Sequence, residues 1–539
     1  MMWEKENFGG MQSAAEIVRH RRDWRLVQRL RADMSRAPDI LLITTDQQRG
    51  DCIGGGGRGV RTPNIDRIAA RGARFDTCIT PHPMCQAARA SILTGKLPYS
   101  HGVRDNGRNL DPVLADAGLA GTFGRAGYDT RFIGKAHFST HETFEPTGFA
   151  ECYDSVARFA EDWNGPYMGF ENVALTLRPH HHCGWKDRPY GLHYERFLDH
   201  DGQGAARWAR AKDKVAPMTA HKQVWRSALQ DEWMSTSWVG DRAMDMLRAG
   251  SDRPQLSWVS FPDPHPPFLA ASPWASLYDP ATVDLPPHRQ LDLDRRPWWH
   301  RAFLESPARR TQARKHAEDQ PYWGNDDALN DRDLRDVIAV YYGMIAAIDY
   351  QVGRMLDFLE ASGRLQNTIV IFTSDHGEWL GDHGLLLKGP MLYDGLLRVP
   401  LVMAGPGITQ GRYDAPVSTV DLRATLAKLC GLAVSPDDGA ALTDVMAGGT
   451  REVAHNEWEV DARRSGVDLD LRTVRSTTHR LSVDLKSGAG ELYDLSTDPH
   501  EMTNLWDSSG AAPVRDRLTA TIQPARPGMI PAAPRVGWH

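Results

Sequence analysis

Ile40-Leu41-Leu42-Ile43-Thr44-Thr45-Asp46-Gln47 is a short apolar, β-branched run that stops abruptly at a carboxylate. A run of this length and composition reads as a strand buried on both faces. Thr368-Ile369-Val370-Ile371-Phe372-Thr373 repeats the pattern and ends in Ser374-Asp375-His376-Gly377-Glu378. Two further strand signals, Tyr128 to Ile133 and Leu256 to Phe261, run into Gly134-Lys135-Ala136-His137-Phe138 and Pro262-Asp263-Pro264-His265-Pro266-Pro267-Phe268. Helix patterns lie between them. The clearest runs from Asp333 to Ser362, with Val337, Tyr341, Ile345, Ile348, Val352 and Leu359 on a helical period and Gly363 beyond. Val399 to Met403 and Val420 to Leu429 add a strand and a helix. This alternation predicts an α/β fold, a large and mostly parallel sheet sandwiched by helices.

Open sheets of this class build their sites outside the carboxyl ends of the strands. Each strand-end motif has a bland reading by itself: Asp46 as a turn aspartate, Lys135-x-His137 as surface, His265 as a rigid loop residue between prolines. Four ends with complementary chemistry argue for one site. Asp46 and Asp375 at one edge, joined by His376, make a cluster with metal-ligand chemistry. Carboxylates suit calcium, magnesium or manganese, and the imidazole tilts the choice towards manganese, with calcium left open.

A second kind of chemistry is written in Cys85-Gln86-Ala87-Ala88-Arg89-Ala90-Ser91-Ile92-Leu93-Thr94-Gly95. Pro81 and Pro83 disfavour helix before it, and Gly95 can end it, so Cys85 falls at a helix N-terminus. Unpaired backbone N–H groups there favour a thiolate or a bound oxyanion. Arg89, four residues on, shares the face of Cys85 and brings a fork of donors to the same spot. For a lone Cys-x-x-x-Arg a buried structural cysteine would be the better reading.

The segment resembles the signature of the sulfatases, the formylglycine-dependent branch of the alkaline phosphatase superfamily, with Ala87 where Cys-x-Pro-x-Arg has proline. Gly134-Lys135-Ala136-His137, Pro264-His265-Pro266-Pro267-Phe268 and Leu97-Pro98-Tyr99-Ser100-His101-Gly102-Val103 also resemble motifs of that family, in its order. The resemblance runs from about residue 38 to 506 and is weakest over 142–330. It implies an alkaline-phosphatase-like fold and a formylglycine nucleophile made from Cys85 by a maturation enzyme. It further implies one divalent metal ion, Ca2+ or Mn2+, held by Asp46, Gln47, Asp375 and His376. Arg89, Lys135 and Lys388 would stabilise negative charge, His137 would accept a proton and His265 would serve as acid for the leaving group, or the two histidines would exchange these roles. Asn106 matches a substrate-contacting asparagine of phosphonate monoester hydrolases. The Gln47 and His376 pair is more like choline sulfatases and phosphonate monoester hydrolases than like calcium sulfatases with Asp-Asp and Asp-Asn. Three readings compete: a sulfatase acting on a small or aryl sulfate, a phosphonate monoester or phosphodiester hydrolase with the same machinery, and a silent member that binds an anion.

The rest of the chain bounds these readings. Its 539 residues are 41% hydrophobic and 24% charged, as in globular proteins. A net charge of −6 gives no reason to expect nucleic acid as a partner. The six cysteines form no disulfide framework or close zinc pattern, and no apolar run reaches the length of a membrane span. A cytoplasmic setting is expected. Residues 1–38 interleave Arg21, Arg22, Arg25 and Arg29 with Ile17, Val18, Leu26 and Leu30, the pattern of an amphipathic helix. An oligomer contact and a loosely ordered extension stay open for it, and with them a homo-oligomer. The expected division is this extension, an α/β catalytic domain over 39–435, and a smaller antiparallel-sheet subdomain over 436–539. Within the catalytic domain, 142–330 shapes the substrate pocket, with loops around Pro179–Cys183 and Asp292–Arg301. The tail beyond Pro524 is read as irregular.

Overall fold

A computed structural model describes residues 36–177, 191–216, 224–307, 330–433 and 438–537. The amphipathic pattern before residue 36 and the Pro179–Cys183 segment lie outside the described residues.

The strands of the main sheet are, in chain order, β1 (Asp39–Thr45), β2 (Ala73–Phe75), β3 (Asp129–Gly134), β4 (Asn172–Leu175), β5 (Gln255–Ser260), β6 (Thr368–Ser374), β7 (Leu401–Ala404) and β8 (Gly411–Tyr413). They pair in the order β8-β2-β7-β6-β1-β5-β3-β4. β7 alone runs against its neighbours, so the sheet is mostly parallel. The two central strands are flanked on both faces, which is why their sequences are continuously apolar. Ile40 and Leu42 point into one core with Ile369, Ile371 and Trp258, whereas Leu41 and Ile43 point into the other with Val370, Phe372 and Val259.

Register places the chemistry. Thr45 of β1 pairs with Ser374 of β6, and Thr44 pairs with Ser260 of β5, which pairs in turn with Gly134 of β3. Four parallel strands therefore end at one level. Asp46, Asp375, Lys135 and the Pro262–Phe268 loop all leave the sheet at that edge.

Of helices α1 (Pro63–Arg71), α2 (Cys85–Thr94), α3 (Ser235–Ala249), α4 (Trp298–Glu305), α5 (Asp331–Ala361) and α6 (Leu422–Leu429), all but α4 cover the two faces. α2 and α6 pack on one face through Ala90, Ile92, Leu93, Leu422 and Leu426. α1, α3 and α5 pack on the other through Ile65, Ile68, Val239, Ile348 and Val352. α5 starts where Asn330 accepts the N–H of Asp333, a side-chain cap on an otherwise orphaned donor.

One expectation is corrected. Asp292–Arg301 is not all loop, because Trp298–Arg301 form the first turn of α4. Pro297 fixes the entry to that helix, and Trp299 and Phe303, four residues apart, bury one face against Trp379 and Met391.

The smaller sheet is an antiparallel meander of β9 (Ala454–Val460), β10 (Leu469–Arg475), β11 (His479–Asp484) and β12 (Gly490–Asp494). α7 (Ala512–Ala520) closes its core through Leu518 against Val474, Leu481 and Leu492. This sheet also steadies the approach to α2: Glu457 N–H donates to Pro81 O at 3.0 Å and Asn456 Nδ2 to Thr80 O at 3.0 Å. Beyond Pro524 the chain is largely irregular and forms isolated bridges at Arg535 and Gly537.

Candidate active site

Cys85 is the first residue of α2, and Met84 before it is extended with no side-chain cap. The first turn thus opens with free N–H groups. One is satisfied from the side, where Gln86 N–H donates to Asn106 Oδ1 at 3.2 Å. Gly95 ends the helix in the left-handed conformation, as the sequence predicts. Asn106 is therefore brought to the site as a support for the turn that carries Cys85.

Around that turn the strand ends converge. Asp46, Cys85, Asp375 and His376 each bring one ligand atom to within 4.8 Å of the others, and all four are buried. Cys85 Sγ lies 3.3 Å from His376 Nε2 and 3.7 Å from Asp46 Oδ1. His376 Nδ1 lies 2.9 Å from the Gly377 carbonyl, which can only accept. Nδ1 therefore carries a proton, and Nε2 faces Asp46 and Asp375 at 3.7 and 3.8 Å.

Cations crowd the carboxylates. Lys135 Nζ is paired with Asp46, and Arg89 Nε donates to Asp375 Oδ2 at 2.8 Å. Arg89 is further fixed by Lys135 O and Ser260 Oγ, each at 2.6 Å. Burial would raise the Asp46 carboxyl, yet Lys135, His265 and Arg89 outweigh it and hold the group well below the usual carboxylate range. Lys388 Nζ closes the cluster at 3.0 Å from both Cys85 Sγ and His376 Nε2.

Gln47 adds the donor that fits a metal. Its backbone is left-handed, with a φ of 69°, held by its N–H on Asp375 Oδ1 and its carbonyl on the Tyr341 hydroxyl. Gln47 Nε2 donates to Glu378, and the buried Oε1 has no hydrogen-bond partner. Two carboxylates, an imidazole and an orphaned amide oxygen make a donor set suited to a divalent cation.

The two remaining histidines lie in loops that follow β5 and β3. His265 is buried in a stretch with cis bonds before Pro264 and Pro267, and its Nδ1 lies 2.7 Å from Pro266 O. His137, at a φ of 52°, stacks on His141 with ring centres 4.5 Å apart, and neither of its ring nitrogens has a hydrogen-bond partner. Burial first, then His141 and Lys135, keep its pKa well below the ordinary histidine value, so the ring is neutral. Asp46, Cys85, Asp375 and His376 thus meet at one edge of the sheet with Arg89, Lys135 and Lys388, while His137 and His265 stand on the loops after β3 and β5.

Sequence patterning missed the supports. Glu378 closes the quoted Ser374–Glu378 strand end and Tyr341 lies on the helical period of α5, but neither was given a part in the site, and Ser260 and Glu151 carry no motif of their own.

The family model for sulfatases matches residues 38–432, well over half of the chain. The chain belongs to the sulfatase family. A second model, for the C-terminal part of N-sulphoglucosamine sulphohydrolase, matches residues 381–527. Among relatives, the uncharacterized sulfatase YidJ of Escherichia coli is 29% identical over 89% of this chain and 85% of its own length. The choline-sulfatase of Rhizobium meliloti is 28% identical over 90% and 85%. The crystal structure of the phosphonate monoester hydrolase of Agrobacterium radiobacter superposes with a TM-score of 0.71 at 26% identity, covering 90% of this chain and 94% of that one. This sulfatase is accordingly a hydrolase-type enzyme with a buried cluster of metal-ligand atoms at its strand ends. Among the described residues no helix is long and apolar enough to cross a membrane.

Proposed function

We propose that this sulfatase hydrolyses sulfate monoesters with a formylglycine made from Cys85, and that Asp46, Gln47, Asp375 and His376 hold one divalent cation, Mn2+ or Ca2+. The observation that carries this is the place of Cys85: the first residue of a helix, in a cluster of metal-ligand atoms, with a lysine 3.0 Å from its sulfur.

A sulfate ester resists attack because its oxyanions repel a nucleophile, so catalysis rests on concentrated positive charge and a proton for the leaving oxygen. An aldehyde hydrate at position 85 supplies one hydroxyl for attack and a second for release of the product, and a bound cation supplies charge. Arg89 and Lys135 are already locked in place, so they meet developing charge without reorganisation. Lys388, the less buried cation, holds an outer substrate oxygen. Neutral His137 takes a proton from position 85, and His265 gives one to the leaving oxygen. Asn106 steadies the first turn.

A phosphonate monoester or phosphodiester carries the same single charge as a sulfate monoester. The likeness to a phosphonate monoester hydrolase favours that second activity in the same site. The test has two parts. The mass of the alkylated tryptic peptide Phe75–Arg89 should show an alkylated Cys78 and an aldehyde or its hydrate at position 85. kcat/KM on matched aryl sulfate and aryl phosphonate esters should favour the sulfate. Two alkylated cysteines in fully active enzyme would overturn the nucleophile, and a phosphonate preference would exchange the two activities.

A further inference from the structure

The turn that follows β3 is held by a side chain outside every motif in the sequence. Glu151 is fully buried. Its Oε1 accepts the backbone N–H of His137, and its Oε2 accepts those of Phe138 and Ser139 at 2.9 and 3.0 Å. The Tyr167 hydroxyl donates to Oε2 at 2.8 Å, and His141 Nε2 lies 3.3 Å from Oε1. Three successive N–H groups turned towards one anion form a concave nest, here filled by a carboxylate of the same chain.

That nest fixes His137. A non-glycine residue keeps a φ of 52° only where its surroundings over-determine it. The imidazole nitrogens of His137 have no partner, so the ring takes its place from its backbone and from stacking on His141. The backbone hangs on Glu151, and His141 is tied to Glu151 as well. Both supports of the ring lead to one carboxylate.

We propose that Glu151 is a positioning residue for the reaction: it holds the 137–139 turn and the His141 ring so that His137 meets the group at position 85. This rests on the role of His137 given above. A glutamine of the same shape would replace one acceptor oxygen with an NH2 group facing N–H donors, which turns the nest against itself.

Kinetics of Glu151→Gln, His137→Ala and the double variant test it, with the mass of the position-85 peptide read for each. That mass separates a failure of the nucleophile assignment from a failure of this one. Glu151→Gln is expected to lower kcat on the order of 100-fold, the scale of a small misplacement of a catalytic group. KM should stay within about two-fold, because Lys388, which holds the outer substrate oxygen, and Arg89 sit on other elements and Lys135 is pinned separately by its pair with Asp46. The double variant should lose no more than His137→Ala alone, since residues acting through one another are not additive. Losses that multiply, an unchanged kcat in Glu151→Gln, or wild-type kcat in His137→Ala would each overturn the proposal. If Glu151→Gln does not fold, Tyr167→Phe removes the hydroxyl that bonds Oε2 and Ser139 Oγ of the same turn, and its smaller loss of kcat must vanish in the His137→Ala background.

Discussion

Gln47 and Glu378 share a buried hydrogen bond in which the Gln47 amide nitrogen donates to Glu378 Oε2. That bond decides which end of the amide faces Glu378 and leaves the oxygen unpaired. Glu378 is anchored in turn by the N–H groups of Leu380 and Leu387. Partners of this kind orient a metal ligand, and losing one costs roughly 10- to 100-fold in affinity. Glu378→Ala is therefore expected to weaken Mn2+ or Ca2+ binding by about that factor in calorimetry. An unchanged Kd would remove Gln47 from the ligand set.

In metal-free protein that keeps an unconverted cysteine, the Cys85 thiol is acidic, with a pKa of about 7 against an ordinary 9.0. Burial and the Asp46 carboxylate both push it up, and Lys135, Lys388 and His376 together pull it down further. The thiolate fraction grows as pH rises through the pKa. Alkylation of Cys85 should therefore reach half its plateau rate near pH 7, and Lys388→Ala should move that midpoint upward. Cys78, whose buried thiol is pushed well above the ordinary value, should stay unreactive over the same range.

Gly134 ends β3 at a φ of 104°, and a Cβ there would meet the Ser260 carbonyl oxygen at 1.9 Å. Gly134→Ala should destabilise the fold by more than about 1 kcal/mol. It should also lower kcat, because Lys135 and His137 follow that backbone. A melting temperature and kcat both equal to wild type would show that β3 and β5 can part freely.

Arg480 and Glu491 form a fully buried pair at 2.8 Å inside the smaller sheet. Burial alone would raise the Glu491 carboxyl, but Arg480, His300 and Arg296 hold it at about 2, below its ordinary 4.5. A depressed carboxyl contributes stability above its unfolded pKa and loses it as pH falls through the folded one. The melting temperature should therefore fall between pH 4.5 and about 2. Glu491→Gln should flatten that fall and cost about 3 kcal/mol at neutral pH by leaving Arg480 short of a buried partner.

The sequence by itself determined the four central strands, the edge at which they end and the residues that follow them, but not the short strands β2, β4 and β8. Buried parallel strands write themselves as short apolar runs, and the helix of Cys85 is bounded by Pro83 and Gly95 within a dozen positions. The amphipathic α5 was legible for the same local reason, while the start of α4 was hidden in a stretch rich in charge and proline. Tertiary structure alone decided how the site is held. The Gln47–Glu378 bond joins residues 331 positions apart, and no local pattern reports it. Glu151 is only 14 positions from His137, yet it binds backbone N–H groups, which every residue but proline carries, so no residue type marks its partner. Which groups carry the chemistry is written in side-chain identity and period. What fixes their orientation depends on desolvation and hydrogen bonds that exist only once the chain has closed around them.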